Sequence, residues 1–269
     1  MSTKKILVTA LFSCLSISAF SHFQMLYTEN SDISGKASVP FELIFTHPAD
    51  GVEAHSMDIG KDHNGKILPV EAFFSVHNEE KNDLKKFLMP SKFGKDKKVT
   101  SYKFNLDRNS GLKGGGDWGL VFVPAPYYEQ SEDIFIQQVT KVFVNKDEIP
   151  TDWSSRIAEG YPEIIALSNP ITWENQIFRG QVVDAKGKAV ANAEIEVEYL
   201  NAEIKNSMFT GKNKEEKVAT VIYADANGYF SFVPVHKGYW GFAALGAGGE
   251  LKHNGKELSQ DAVLWIEAK

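Results

Sequence analysis

Seven histidines occur in this chain of 269 residues, and five of them, His22, His47, His55, His63 and His77, lie in its first third. Imidazole ordinarily titrates near ~6.5, so it gives up its proton near neutrality and can bind a transition metal. His47 closes an apolar run in which Phe41, Leu43 and Phe45 share one face, and Pro48 stops the ladder directly after it. His55 and Met57 follow the turn-forming Asp50-Gly51. A strand that ends at 47 and a segment that returns at 55 bring both imidazoles to one sheet end, where a strand starting at 22 can also terminate. Singly, an exposed loop histidine is usually only solvated; the concentration of several beside one terminus points to a metal. The ligand types, with the thioether of Met57, suit nickel, copper, cobalt or zinc and not calcium or magnesium. The expected ligands are His22, His47, His55 and Met57. His63, in a Lys-Asp-His-Asn-Gly turn, and His77, at a strand end, stand in reserve.

Residue 22 carries more than its ring. Lys4-Lys5 precede an apolar run from Ile6 to Phe20, and Ala19-Phe20-Ser21 places small residues at the two positions a signal peptidase inspects. The run is short for a membrane span. The sole cysteine, Cys14, lies within it, and Phe12 is bulky where a lipoprotein signal has a small residue. Cleavage after Ser21 is therefore expected, leaving 248 residues that start with His22, contain no cysteine and lie in the periplasm. A free amine and the Nδ1 of the same histidine close one chelate ring around a divalent transition metal. The amine ordinarily titrates near ~7.7 to 8.0, so a metal can strip both groups of protons at neutral pH.

The elements that must position these residues read as strands. Phe23 to Tyr27, Val39 to Thr46 and Ala72 to Val76 are extended segments separated by polar or Gly/Pro turns, and Lys81 to Gly94 suggests a helical turn. Thr100 to Leu106, Gly119 to Val123 and Ile134 to Val144 follow. The predicted fold is all-β: a first β-sandwich over residues 22–145, a linker over 146–174 and a second β-sandwich over 175–269. In the second unit Ile195, Val197 and Tyr199 alternate with Glu194, Glu196 and Glu198, which reads as an inward apolar face and a solvated acidic one.

Composition narrows the function. At 43% hydrophobic and 24% charged, the chain can bury a sizeable core. Its net charge is −6, and without the two leader lysines it is −8, which disfavours nucleic acid as a partner. Gly114-Gly115-Gly116-Asp117 has no following Lys-Ser/Thr and no helix signal, so it is a turn and not a phosphate loop. No Gly-x-Ser-x-Gly elbow, His-Glu-x-x-His helix or EF-hand spacing occurs.

Four stretches together resemble a known family. They are His22-Phe-Gln-Met; Phe45-Thr-His-Pro48 with His55-Ser-Met-Asp58; Gly116-Asp-Trp-Gly-Leu-Val-Phe-Val-Pro-Ala-Pro-Tyr-Tyr-Glu129; and Phe178-Arg-Gly180 with the terminal hairpin. The chain resembles, over nearly its whole mature length, the periplasmic component of nickel/cobalt uptake systems that accompany an energy-coupling-factor type ABC permease (the NikK- or CbiK-like group). The resemblance implies capture of a nickel ion, with cobalt second, and delivery to a nickel/cobalt membrane permease, with a terminal histidine among the ligands. It also implies a carboxypeptidase-regulatory-like (prealbumin-like) second domain and no enzymatic activity. This chain departs from the family pattern in having His47-Pro48-Ala49 and an additional His55. Two other readings compete. An amine-plus-imidazole terminus on a β-sandwich also suits a periplasmic copper chaperone or resistance protein. A terminal-histidine copper oxygenase would need a flat aromatic substrate face, for which Trp118, Tyr127 and Tyr128 are the candidates.

Overall fold

Short segments rich in Val, Ile, Phe and Tyr recur along the chain, and the computed structural model, which describes residues 22–50, 54–55, 70–130, 132–211 and 219–269, folds them into strands. The first half contains β1 (Phe23–Tyr27), β2 (Ser38–Thr46), β3 (Ala54–His55), β4 (Ala72–His77), β5 (Glu80–Asp83), β6 (Met89–Phe93), β7 (Val99–Asp107), β8 (Gly116–Val123), β9 (Tyr127–Glu129) and β10 (Ile134–Lys146). The second contains β11 (Glu163–Ala166), β12 (Ile171–Thr172), β13 (Phe178–Val183), β14 (Glu194–Tyr199), β15 (Glu203–Lys205), β16 (Met208–Thr210), β17 (Ala219–Tyr223), β18 (Tyr229–Phe232), β19 (Gly238–Ala244), β20 (Leu251–His253) and β21 (Lys256–Ala268). The described residues hold no α-helix; the helical turn expected within 81–94 is a 3₁₀ turn at Lys85–Phe87.

The all-β, sandwich-like reading holds. One sheet runs β1-β2-β7-β6, with β3 beside β2. It packs on a larger sheet ordered β17-β14-β19-β21-β10-β8-β4-β5. Rings from both layers interlock between them: Phe23 meets Trp265 edge-on at 5.9 Å, and Phe104 meets Phe73 at 5.0 Å. Each such fully buried large side chain contributes ~1.5 to 3 kcal/mol.

The larger sheet crosses the boundary drawn near residue 145. β10, from the first expected unit, lies parallel to β21, from the second, in a register running from Phe135↔Leu258 to Val142↔Trp265. Both strands are almost wholly buried, as strands covered on two faces must be. On β10, Ile136, Val142 and Val144 face the β1–β2 layer, whereas Val139 and Phe143 join the cores on the opposite side. That opposite face also carries Lys141, whose Nζ donates to Glu163 Oε1 at 2.5 Å with both side chains buried. Glu163 further accepts from the backbone N–H groups of Ile157 and Ala158, which fastens the segment after β10 to the central sheet.

The acidic face of β14 is not solvated. Glu196 is 3% exposed and Glu198 1%, because β14 lies inside the sheet and residues 48–50 cover it. Glu198 Oε2 accepts from the Ala49 N–H at 3.0 Å, and Asn201 N donates to Pro48 O. Burial pushes the Glu198 carboxyl up to about 8, with the Ala49 bond opposing and the charges of Glu196 and Asp50 adding to the rise. Period-two alternation identified the two faces of this strand and could not say that the second would also be covered.

Candidate metal centre

β1 and β2 run antiparallel with Phe23 opposite Thr46, so the next pair outward is His22 and His47. Their ring centroids are 4.2 Å apart at an interplanar angle of 36°. The His22 ring also stacks on Phe45, with centroids 5.0 Å apart, and Phe45 in turn meets Tyr127 edge-on at 5.3 Å. Both imidazoles are half-buried at the layer edge. The local sequence explains the arrangement: Phe45 and His47 are two residues apart on one strand face, and Pro48 ends the ladder where no further partner is needed. On the other side of β2, the backbone of His55 lies opposite Phe45 and that of Ala54 opposite Thr46. β3 thus returns the chain to the same sheet end. Met57 and His63 lie outside the described residues. Among the described residues, no three His, Cys, Asp or Glu side chains gather as a metal-binding group.

Residue 22 is held from behind by the central sheet. Gln138 Nε2 donates to the His22 carbonyl at 2.6 Å, and Gln138 Oε1 accepts from the Gln24 N–H at 2.7 Å. Trp265 Nε1 donates to the Gln24 carbonyl at 2.8 Å. One amide and one indole therefore fix the backbone on both sides of Phe23. Gln138 also meets Asp261, a buried carboxyl that accepts from Ser259 Oγ at 2.6 Å and Gly246 N at 2.9 Å. Burial raises the Asp261 pKa despite these bonds. Burial likewise raises the phenol of Tyr127, with the negative charge of Asp261 adding to it. Gln24 Nε2 and Tyr127 Oη are buried here without a hydrogen-bond partner among the described residues.

His77 stands apart from this cluster. Its ring lies flat on Trp118, centroids 3.9 Å apart and 5° from parallel, with Nδ1 at 2.9 Å from the Asp117 carbonyl. A carbonyl only accepts, so Nδ1 carries the proton, and Asn78 Nδ2 donates to Nε2 at 3.0 Å. Both nitrogens are occupied, and this reserve histidine is a packing residue. Trp118 is 2% exposed beneath it; of the three aromatic candidates, Tyr127 meets the His22 cluster through Phe45. His253 packs on Phe135, and His236 accepts from Trp240 Nε1 through its carbonyl. Gln138 and Trp265 escaped sequence reasoning because they lie 114 and 241 residues from Gln24. The one local hint was the polar pair Gln137-Gln138 inside an otherwise apolar strand.

A family described as "Domain of unknown function (DUF4198)" matches residues 19–248. No curated protein matches the chain. Among solved structures, it is similar to dimeric latent PorU from Porphyromonas gingivalis, with 8% identity over 93% of this chain and 20% of that one, at a TM-score of 0.21. It is also similar to Salmonella alpha-2-macroglobulin reacted with methylamine, with 10% identity over 91% of this chain and 15% of that one, at a TM-score of 0.24. The major pilin subunit of Bacillus cereus shows 10% identity over 87% of this chain and 62% of that one, at a TM-score of 0.17. The chain spans a fifth or less of the length of the first two.

Proposed function

We propose that this chain, which belongs to the DUF4198 family of domains of unknown function, is a periplasmic transition-metal binding protein that captures nickel, with cobalt second, and passes it to a membrane permease. The observation that carries the reading is the approach of the His22 and His47 imidazoles to 4.2 Å at the end of β1 and β2. Processing after Ser21 adds the α-amine of residue 22, giving three nitrogen donors of the kind nickel, cobalt and copper favour. The strand register supports a contribution from His55, whose backbone returns to the same sheet end. Met57 is the softer donor in the set. Gln138 and Trp265 grip the backbone of residues 22 and 24, which supports a ligand position fixed before a metal arrives.

Calorimetric titration of the processed protein with nickel, cobalt, copper and zinc tests the capture step. The substitution His47→Ala is expected to weaken nickel binding ~10 to 100-fold, as loss of a ligand should cost at least what loss of a supporting partner does. His253→Ala and His77→Gln are expected to leave it unchanged. Equal affinity in His47→Ala and the native protein would remove the reading. Copper binding that persists under excess nickel, together with unaltered nickel uptake by cells lacking the chain, would replace delivery to a nickel permease by copper handling.

Nickel affinity is also expected to fall as pH drops from 7 to 6. The amine and imidazoles bind metal only after losing their protons, and acid competes for the same lone pairs. Carboxylate ligation would leave affinity nearly constant across that interval, so titrations at three pH values separate the two.

A further inference from the structure

The turn Gly114-Gly115-Gly116 leads into β8, which places Trp118 against His77. Beside them is a cavity of about 380 Å³ lined by Ser75, His77, Glu80, Asn82, Lys113 and Trp118, among others. Its size sits at the small end of the ~300 to 1,000 Å³ typical of ligand sites. Two of its lining side chains are buried and incompletely bonded: Ser75 is 1% exposed and Trp118 2%, and neither Ser75 Oγ nor Trp118 Nε1 has a hydrogen-bond partner among the described residues. Such groups are costly to leave unmade, and both can donate. An indole N–H can do nothing else. The Lys113 ammonium stands at the rim, 2.7 Å from Glu80 Oε2, and its loop is fixed by Asn82 Nδ2 donating to the Ser110 carbonyl. Lys81 and Lys113 against Glu80 leave the lining one positive charge in excess, in a chain whose net charge is −6. His77 completes the wall with both nitrogens engaged, so it offers no competing acceptor.

We infer that this cavity is a binding site for a small organic carboxylate, whose oxygens accept from the Ser75 hydroxyl and the Trp118 indole while Lys113 faces its charge. The donors are buried and the ammonium is exposed, so a ligand enters from the Lys113 side and reaches the indole last. The site shares no side chain with the His22–His47 centre and does not depend on it.

Nuclear magnetic resonance of the metal-free protein, uniformly labelled with nitrogen-15, tests this directly. The five tryptophans give five indole N–H signals, and the one missing in Trp118→Phe identifies Trp118. Titration with acetate and succinate is expected to move that signal downfield and to saturate. The substitutions Ser75→Ala and Lys113→Met should each weaken the binding about tenfold, as expected for one lost hydrogen bond to a charged group; Lys113 is exposed, so its variant keeps the fold. A Trp118 signal that does not move, or that moves equally with chloride, overturns the site. A response that saturates with inorganic phosphate and not with either carboxylate overturns the ligand class. Binding unchanged in both variants overturns the assignment to this cavity.

Discussion

Inserting one alanine between Ser21 and His22 is expected to lower nickel affinity ~10 to 100-fold or more, the range set by loss of supporting groups around a metal. That is about 1.4 to 2.7 kcal/mol of binding free energy. The insertion removes no side chain. It converts the residue-22 amine into an amide and moves the free amine one residue outward, so the ring closed with Nδ1 of His22 is lost. The structure makes this a clean change. The His22 carbonyl stays bonded to Gln138, Gln24 keeps its bonds to Gln138 and Trp265, and β1 keeps its register on β2. The two imidazoles therefore remain as near each other as before. Calorimetry on the extended and native proteins, with intact mass confirming each terminus, provides the comparison. Undiminished affinity in the extended protein would mean that the amine is not a ligand, and the histidines would have to bind the metal without it.

Local pattern carried the sequence reading where a strand's role is set by its own residues. β2 was evident from Phe41, Leu43 and Phe45, and its end from Pro48; that is why His22 and His47 were expected together and are found together. The reading had no access to pairings between distant strands. β10 and β21 are each recognisable as buried runs, yet nothing in either says that they lie side by side and parallel, with one sheet passing through both expected units. The same blindness hid Gln138, which local reading leaves as one polar residue in an apolar strand and which the fold turns into the clamp on residue 22. His77 shows the converse. Its position at a strand end looked open, and only the tertiary arrangement reveals Asp117, Asn78 and Trp118 closing around it.

Replacing Lys141 by methionine is expected to destabilise the protein by about 3 kcal/mol, near the lower edge of the ~3 to 5 kcal/mol seen when one member of a buried ion pair is removed. The side chains of Lys141 and Glu163 are 2% and 1% exposed, so deletion of the ammonium strands a carboxylate in the interior. The N–H groups of Ile157 and Ala158 still reach that carboxylate, and Arg156 Nε lies 3.9 Å away, which is why the lower edge is expected. The double variant Lys141→Met with Glu163→Leu should recover only part of the loss: no carboxylate is then left unpaired in the interior, but the N–H groups of Ile157 and Ala158 lose their acceptor. Urea unfolding of the three proteins measures these differences. Nickel affinity of folded Lys141→Met should nevertheless match that of the native protein, because Lys141 and Gln138 project from opposite faces of β10, and only the Gln138 face touches residue 22. A variant as stable as the native chain would mean that the ion pair holds nothing. A variant that folds but loses nickel would mean that the two faces of β10 are coupled, and the terminus would then depend on the whole sheet and not only on the clamp.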